Sequence, residues 1–423
     1  MPDLSINCAG IKSPNPFWLA SAPPANSGPQ VQRAFGAGWG GAVWKTLGTP
    51  IQNVSSRFGA TNIRGVQGAG FNNIELITDR SLETNLKEIS ETKRLFPGHA
   101  VVVSLMVESR EEWRDIIKKS IDAGADGLEL NFGCPHGMCE RGMGSAVGQE
   151  PRINQEITSW AVEYSTVPVL VKLTPNVSNI VPHGIAARKG GAHGVSLINT
   201  IKSIIGVDID RFVPEPRVGS LSTNGGYCGA AVKPIALHMV ASLAREKDFG
   251  IPISGIGGIT NWRDAVEFIL LGSTSVQVCT EVMLRGYTIV EDMIDGLEEY
   301  MRTHGFDTVD QMVGKAIPGF SEWGDLDLNY ETIAKIDPDK CIGCQLCVAA
   351  CHDGAHQCIH PSKQNTRVPV VDESECVGCN LCQIVCPVPG CISMVEVDNG
   401  FAPATWNQAV QEGKALRPKK GAH

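Results

Sequence analysis

Eight cysteines near the C-terminus form two runs with the same spacing. The first run is C-x2-C-x2-C-x3-C from Cys341 to Cys351, and the second repeats it from Cys376 to Cys386, followed by Pro387. Disulfides are not expected in a reducing compartment, which leaves zinc and iron–sulfur as alternatives. Zinc sites use C-x2-C pairs separated by a longer loop, whereas three closely spaced thiolates suit three corners of a cubane. The spacing therefore predicts two 4Fe–4S clusters.

The fourth cysteine of each run is expected to bind the cluster of the other run, as in two-cluster bacterial ferredoxins. The expected ligands of the first cluster are Cys341, Cys344, Cys347 and Cys386. Those of the second cluster are Cys376, Cys379, Cys382 and Cys351. The repeat of DPDKCIGC at 337–344 as DESECVGC at 372–379 indicates a duplicated half-module. The pattern leaves out Cys358 and Cys391, and we interpret His352, His356 and His360 as part of a solvated insertion rather than a metal site.

A glycine-rich loop, GCPHGMCERGMGSAVG from Gly133, contains a further candidate for chemistry. Its five glycines argue against a helix, and it follows an apolar run that ends in Asn131. A lone cysteine is often a small buried hydrophobe. Here the preceding glycine and the following proline make a core position for Cys134 unfavourable, so we predict that Cys134 is a proton donor.

Repeated βα units are expected to position these groups. Short apolar runs alternate with amphipathic stretches in the first 330 residues, and predicted helices such as 111–123 and 262–271 end before Gly124 and Gly272. The runs begin at Pro16, Gly41, Ala100, Gly127, Pro168, Gly194, Pro252 and Ser275. Eight such runs favour a TIM (β/α)8 barrel over an open doubly wound sheet. The predicted fold class is thus α/β, a TIM barrel followed by a small two-cluster ferredoxin-like α+β domain.

Polar residues and glycines follow the ends of these runs, where TIM barrels place their chemistry. They are Ser21, Lys45, Thr46, Asn131, Lys172, Asn199, Thr200, Gly257, Gly258, Cys279 and Thr280. The glycine-rich turns at 225–229 and 255–258 predict a phosphate-bearing cofactor, with a tight packing turn as the alternative. No G-x-G-x-x-G follows a strand with an acidic residue about 20 positions on, so no Rossmann nicotinamide site is expected.

A flavin is the expected cofactor of the barrel. Clusters pass single electrons, whereas reduction of a carbon–carbon double bond needs a hydride and a proton, and a flavin connects the two. The barrel is therefore predicted to bind FMN. Lys45 and Lys172 would place positive charge near the flavin N1 and O2 edge, and their alternative role is an ordinary ion pair.

Composition narrows the class of protein. The net charge of −9 argues against general nucleic-acid binding, and no stretch resembles a membrane span or a signal peptide, so a cytoplasmic protein is expected.

The predicted domains are a barrel at 1–310, a linker at 311–333, a cluster domain at 334–400 and a tail at 401–423. The helical stretch 290–303 and the acidic segment from Ser321 are either docking elements or solvated linker.

Several motifs resemble the dihydropyrimidine dehydrogenase family, in its bacterial form with a separate FMN and iron–sulfur subunit. They are ELNFGCPHGM, ERGMG, VKLTPN, NNIEL, Asn199-Thr200 and the tandem cysteine runs. The resemblance implies reduction of the 5,6 double bond of uracil or thymine, with hydride from FMN N5 to C6 and a proton from Cys134 to C5. The barrel is more distantly similar to dihydroorotate dehydrogenases.

The resemblance also implies two sets of binding residues. The pyrimidine would be bound by Asn73, Glu75, Asn131, Phe132, Gly133, Asn199 and Thr200. FMN would be bound by Ser21, Lys45, Thr46, Lys172, Gly229, Ile256, Gly257, Gly258, Cys279 and Thr280. This sequence departs from the family at Gly133, where serine is common, and at Cys139, where glycine is usual.

The resemblance further implies a partner. A flavoprotein subunit with FAD and an NAD(P) site would deliver electrons through the clusters, which makes a hetero-oligomer the expected assembly. Two other hypotheses are a dihydroorotate-type dehydrogenase, disfavoured because Glu75 adds negative charge where a substrate carboxylate would bind, and an electron-transfer subunit with a vestigial barrel. The presence of Cys134, Lys45, Lys172 and Asn131 argues against the latter.

Overall fold

The computed structural model describes residues 1–63, 65–134, 143–362 and 367–413. The chain divides into two compact units, Met1–Gly319 and Phe320–His423. In the described part of the chain, every helix is too short or too polar to traverse a lipid bilayer.

Eight parallel strands close into a barrel in the first unit, and each strand pairs with the next one along the chain. They are β1 (Phe17–Leu19), β2 (Gly41–Leu47), β3 (Ala100–Leu105), β4 (Gly127–Asn131), β5 (Val169–Lys172), β6 (Gly194–Leu197), β7 (Ile253–Ile256) and β8 (Ser273–Val278). Every residue of β2 is buried, as expected for a parallel strand covered on both faces. The eight strands coincide with the eight predicted runs, so the TIM-barrel prediction is confirmed.

In the described part of the first unit, ten helices surround the barrel or border its loops. They are α1 (Gly28–Ala37), α2 (Leu82–Leu95), α3 (Arg110–Asp122), α4 (Ser145–Gly148), α5 (Pro151–Tyr164), α6 (Val181–Lys189), α7 (Lys233–Arg245), α8 (Trp262–Leu270), α9 (Thr280–Arg285) and α10 (Ile289–His304). Ser109 begins α3 with a capping box, and Asn261 caps α8 through its side chain. Helix α10 buries Val290 and Leu297 in the barrel core, so this stretch is part of the barrel rather than a linker.

Two antiparallel layers cover the ends of the barrel. The hairpin Ile6–Cys8 and Ile11–Ser13 closes the end where the strands begin, because Ile11 occupies the space left by the missing side chain of Gly127. At the opposite end lies a four-stranded sheet that we call the cap sheet, built from insertions after β2 and β6. Its strands are Phe58–Ile63, Val66–Asn73, Gly225–Cys228 and Ile201–Ser203.

Short elements complete the first unit and begin the second. Two small hairpins between β6 and α7 pair Gly206–Asp208 with Val213–Glu215 and Arg217–Val218 with Leu221–Ser222. Among the residues that the structure describes, the single-turn 3-10 helices are Pro23–Ala25, Ala230–Val232, Val309–Gln311, Ile317–Gly319 and Trp323–Asp325.

The second unit consists of two similar halves. Its elements are β9 (Thr332–Ile336), α11 (Leu346–Gly354), β10 (Ile359–His360), β11 (Val370–Val371), α12 (Leu381–Val385), β12 (Ile392–Glu396) and α13 (Trp406–Glu412). Strand β9 pairs antiparallel with β12, and β10 pairs with β11. Gln345 and Asn380 both adopt a left-handed conformation just before a helix, with φ of 61° and 67°. This repeat of local geometry matches the duplicated half-module predicted from the sequence and confirms the ferredoxin-like domain.

Residues 311–333 of the predicted linker and 401–413 of the predicted tail pack against their own units. Met312 is fully buried in the barrel core, so the first unit extends into the predicted linker. In the second unit the indole rings of Trp323 and Trp406 lie 6.2 Å apart, and Asn407 donates a 2.8 Å hydrogen bond to Asp325. The start of the second unit therefore packs against α13, within the segment expected to be a tail.

Candidate functional site

A cavity of about 710 Å³ lies at the C-terminal ends of the barrel strands and is bordered by the cap sheet. Most residues predicted to bind substrate or FMN line it. They are Ser21, Lys45, Thr46, Asn73, Glu75, Asn131, Cys134, Lys172, Asn199, Thr200, Gly229, Ile256, Gly257, Gly258, Cys279 and Thr280. Residues from seven strand ends and two cap strands thus meet at one site, in a volume typical of small-molecule pockets.

Two predicted substrate residues do not line this cavity. The ring of Phe132 is 1% exposed and packs edge-on against Trp113, with centroids 6.5 Å apart, so it belongs to the core. Gly133 lies behind Asn199, and a Cβ atom at this position would overlap the Asn199 side chain. The absence of a side chain at Gly133 is therefore what allows Asn199 its close approach.

A chain of side-chain hydrogen bonds fixes the amides at the centre of the cavity. Asn199 Nδ2 donates to Asn131 Oδ1 at 3.1 Å, and Asn131 Nδ2 donates to Thr46 Oγ1 at 3.0 Å. The Asn199 Oδ1 atom accepts from the Thr200 N–H at 2.8 Å. These bonds define which end of each amide carries oxygen, and they hold both amides in one orientation. Asn73, on the cap sheet, is held separately by a 3.2 Å bond to the Gly226 carbonyl.

A buried ion pair spans the barrel and the segment that follows the cap sheet. Lys45 Nζ, at the end of β2, lies 2.6 Å from Glu75 Oε1, and both side chains are at most 6% exposed. Arg57 Nε lies 3.6 Å from the same carboxylate oxygen. Two cations around one carboxylate give this side of the cavity a net positive charge despite the presence of Glu75.

A second buried pair lies deeper in the barrel. Lys172 Nζ lies 3.6 Å from Glu129 Oε1, and Glu129 is fully buried. Glu129 Oε2 accepts hydrogen bonds from Ser196 at 2.7 Å and from Gln277 at 3.1 Å. Both predicted flavin lysines therefore border the cavity and also form ion pairs. The sequence signal for Glu129 was its place in GLELN, where it alternates with Leu128 and Leu130 and must point inward.

The glycine turn after β7 forms a close-fitting cradle suited to a phosphate. Gly257 and Gly258 have φ of 129° and 76°, which residues with a side chain rarely adopt. A Cβ atom on Gly258 would lie 2.7 Å from the Lys233 backbone nitrogen.

Two thiols of the cavity are neutral at physiological pH. Burial raises the pKa of Cys228 to about 11, and burial together with the nearby Cys228 raises the pKa of Cys279. A cavity with two cations and backbone exposed at glycines fits the isoalloxazine and phosphate of FMN.

Cys134 lies at the edge of the cavity and is 8% exposed. It packs in a small apolar cluster with Ile77, Met106 and Met143. Its carbonyl accepts a 3.0 Å hydrogen bond from the Ser145 N–H at the start of α4. The thiol predicted as a proton donor is thus fixed at the cavity and shielded from bulk water, while Cys139 of the same loop lies outside the described residues.

Two small cavities in the second unit are lined by cysteines from both halves of the repeat. The first cluster cavity contains Cys341, Cys344, Cys347, Cys386 and Cys391. The second cluster cavity contains Cys376, Cys379, Cys382, Cys351 and Cys358. These groupings place the fourth cysteine of each run with the three leading cysteines of the other. Such a set of thiols fits a cubane cluster, in which each cysteine binds a different iron. Among the described residues, no group of three His, Cys, Asp or Glu side chains is placed to hold a single metal ion.

Several lining residues were not identified from the sequence. Phe58, Tyr227 and Cys228 reach the cavity from the cap sheet, and Met283 reaches it from α9. The cap strands belong to long insertions with no repeating βα pattern, so their position over the barrel could not follow from periodicity. The glycine-rich GGYCG segment was the one available signal, since it indicates close backbone approach.

The same architecture occurs in known proteins. The family model described as dihydroorotate dehydrogenase matches residues 3–301, and that of the 4Fe-4S dicluster domain matches residues 334–394. The chain is 43% identical to the NAD-dependent dihydropyrimidine dehydrogenase subunit PreA of Escherichia coli (strain K12) over 397 residues, which cover 93% of this chain and 96% of that protein. It is 40% identical to the chloroplastic dihydropyrimidine dehydrogenase (NADP(+)) of Arabidopsis thaliana, over 77% of this chain and 79% of the relative.

A more distant relative shares the barrel alone. The dihydroorotate dehydrogenase B (NAD(+)) catalytic subunit of Pyrococcus horikoshii is 36% identical over 74% of this chain and 98% of its own length. Because the match to the PreA subunit extends across both units, the chain belongs to the dihydropyrimidine dehydrogenase family, an iron–sulfur oxidoreductase whose FMN-binding barrel is of the dihydroorotate dehydrogenase type.

Proposed function

We propose that this chain reduces the 5,6 double bond of uracil or thymine to the 5,6-dihydropyrimidine. The observation that carries the proposal is the convergence of Asn73, Asn131, Asn199 and Glu75 with Cys134 in one cavity. The ring edge of a pyrimidine alternates N–H donors with carbonyl acceptors. Amides and a carboxylate can pair with both kinds of group.

The amide network prepares donors for the ring carbonyls. Each carboxamide nitrogen carries two hydrogens. Among the described residues, Asn131 Nδ2 uses one of them on Thr46 and Asn199 Nδ2 uses one on Asn131. The second N–H of each amide is not used in these bonds, and we propose that it donates to a ring carbonyl. Because both amides are oriented before the ligand binds, the entropic cost of binding is lower.

Reduction needs a proton at C5 as well as a hydride at C6. The hydride is the chemistry that FMN would supply when bound. We assign the proton to the Cys134 thiol, which lies on the cavity wall and is shielded by Met106 and Met143. Lys45 and Lys172 border the same cavity and would hold positive charge beside FMN, where negative charge would develop on reduction.

The cofactor-binding residues and the domain roles follow the same reasoning. We propose that the predicted FMN residues hold the flavin, that the eight cysteines of the two runs are the cluster ligands, and that 1–310 and 334–400 form the catalytic and cluster domains. Electrons would arrive from NAD(P)H through a flavoprotein partner in a hetero-oligomer. We infer a cytoplasmic location because cluster thiolates require a reducing compartment.

Half-reaction spectroscopy tests the substrate assignment. The purified chain, loaded with FMN and clusters, is reduced chemically without oxygen and mixed with uracil, thymine or orotate. We expect the flavin absorbance to return with uracil or thymine and to stay bleached with orotate. Reoxidation by orotate alone would instead make the chain a dihydroorotate-type enzyme, whose substrate carboxylate would then be bound beside Arg57.

A further inference from the structure

Each cluster cavity contains one cysteine more than a cubane needs. Cys391 is the fifth cysteine of the first cluster cavity, and Cys358 is the fifth of the second. Both are buried, with 3% and 4% of their surface exposed, and neither belongs to the two spaced runs. A fifth thiol at an iron–sulfur site can itself bind iron, or it can contact a cysteine that binds iron.

Cys358 contacts two cysteines of the second cluster cavity, Cys351 and Cys376, and its contacts with Cys351 involve both its side chain and its backbone. Its Sγ atom lies 3.6 Å from Cys351 Sγ, and its backbone N–H donates to the same sulfur at 3.3 Å. Cys351 lies at the end of α11, seven positions earlier in the chain. The turn between α11 and β10 brings both donor groups of Cys358 to the same sulfur.

When the cluster is bound, the protonation of the two cysteines determines which of them donates the hydrogen bond. A cysteine bound to iron is a thiolate, which accepts hydrogen bonds and donates none, whereas a cysteine without iron retains its S–H hydrogen. If Cys351 binds iron, Cys358 is therefore the donor and the Cys351 sulfur the acceptor in the contact between these two thiols.

We propose that Cys358 is a positioning residue whose thiol donates a hydrogen bond to the Cys351 sulfur and thereby raises the reduction potential of the second cluster. A hydrogen bond to a ligand sulfur stabilises the added negative charge of the reduced cluster more than it stabilises the oxidised one, and such bonds are among the factors that set cluster potentials. The inference rests on the proposed ligand role of Cys351.

The test uses the full chain loaded with FMN and clusters, with iron content and a redox titration followed by electron paramagnetic resonance. In Cys358→Ala we expect unchanged iron content and a negative shift in the potential of one cluster. In Cys358→Ser, whose hydroxyl is a stronger donor in the same place, the potential should lie at or above the original value. Cys391→Ala, in the other cavity, should leave the potential of the second cluster unchanged.

Three results would overturn the proposal. An unchanged cluster potential in Cys358→Ala would show that the hydrogen bond from Cys358 does not affect the reduction potential. A shift of the same sign in the alanine and serine variants would show an effect of cavity volume or solvent instead of donation. Loss of iron in Cys358→Ala would make Cys358 a ligand.

A double variant separates this inference from the ligand assignment. Cys351→Ala/Cys358→Ala should lose the iron of one cluster, and the cluster that disappears must be the one whose potential shifts in Cys358→Ala. Full iron content in the double variant would contradict the ligand role of Cys351, whatever the single variants show.

Discussion

At the scale of single residues, the cavity joins the proposed proton donor, a set of oriented amides and two lysines that are paired with carboxylates. Cys134 and Asn131 lie on the cavity wall, and Glu129 pairs with Lys172 beneath it. Each group is proposed to have its own task, so each substitution should change a different measurement. Turnover reports on the proton donor, substrate affinity on the amides, and flavin potential on the lysines and their carboxylates.

Replacing the proposed proton donor should affect turnover and leave binding intact. For Cys134→Ala we expect kcat to fall by about 10²–10⁴-fold, the usual contribution of general acid catalysis, with uracil affinity and FMN content retained. Steady-state kinetics and a flavin titration would measure both. Cys228→Ala, at another neutral thiol of the same cavity, is the matched control and should stay within a few fold. Unchanged kcat in Cys134→Ala would reject the assignment.

Replacing the buried carboxylate should change the flavin potential. Glu129→Gln keeps the shape of the side chain but removes the negative charge 3.6 Å from Lys172 Nζ. The uncompensated lysine then favours the reduced, more negative flavin, so its midpoint potential should become more positive. A redox titration of the flavin tests this, with Ser196→Ala as a control that removes a hydrogen bond to Glu129 and no charge. A negative shift would contradict the argument.

Much of the site followed from residue types at strand ends. The polar residues after the apolar runs meet in one cavity because parallel strands share one end of the barrel. Phe132 shows the limit of such reasoning: it is next to Asn131 in sequence, yet its ring turns into the core. The pairing of Lys45 with Glu75 joins residues 30 positions apart in the sequence, which no local pattern describes.

At the scale of elements, the cap sheet is the part of the barrel unit that the βα repeat did not predict. It pairs Val66–Asn73, inserted after β2, with Gly225–Cys228, inserted after β6. It also carries Asn73 and leads into Glu75. Residues distant in sequence are thus held together at the cavity by backbone hydrogen bonds of the cap sheet rather than by the barrel.

Disturbing the cap sheet should therefore weaken substrate binding and leave the barrel folded. A Cβ atom on Gly70 would overlap the Tyr227 hydroxyl group across the sheet. Overpacking of this kind costs about 1–3 kcal/mol, so we expect KM for uracil to rise between about fivefold and 150-fold in Gly70→Ala. Gly206→Ala, where a Cβ atom would meet open space, is the control. Equal KM values in both variants would show that the cap does not position the substrate residues.

At the scale of the whole molecule, the chain combines an FMN barrel with a two-cluster domain and has no recognisable nicotinamide fingerprint. The domain composition followed from the sequence because cysteine spacing and strand count are local signals. Burial of Met312 and the contact between Trp323 and Trp406 depend on tertiary packing, which no local sequence signal describes.

This composition predicts dependence on a second protein. The purified chain, loaded with FMN and clusters, should not oxidise NADH or NADPH, although chemical reductants should reduce it. Anaerobic absorbance of the flavin after addition of each nucleotide measures this. Rapid bleaching of the flavin by NADH in the absence of another subunit would refute the proposed partner.

The interleaving of the cluster cavities also has a consequence for biosynthesis. Under the proposed ligand assignment, the second cluster needs cysteines up to Cys382, whereas the first needs Cys386, although its leading cysteines are made earlier. During translation, the three thiols of Cys341, Cys344 and Cys347 therefore lack their fourth partner until the second half of the domain has left the ribosome. Iron insertion into either site thus follows translation of nearly the whole domain, and a prematurely ended chain would hold reactive thiols with no site to complete.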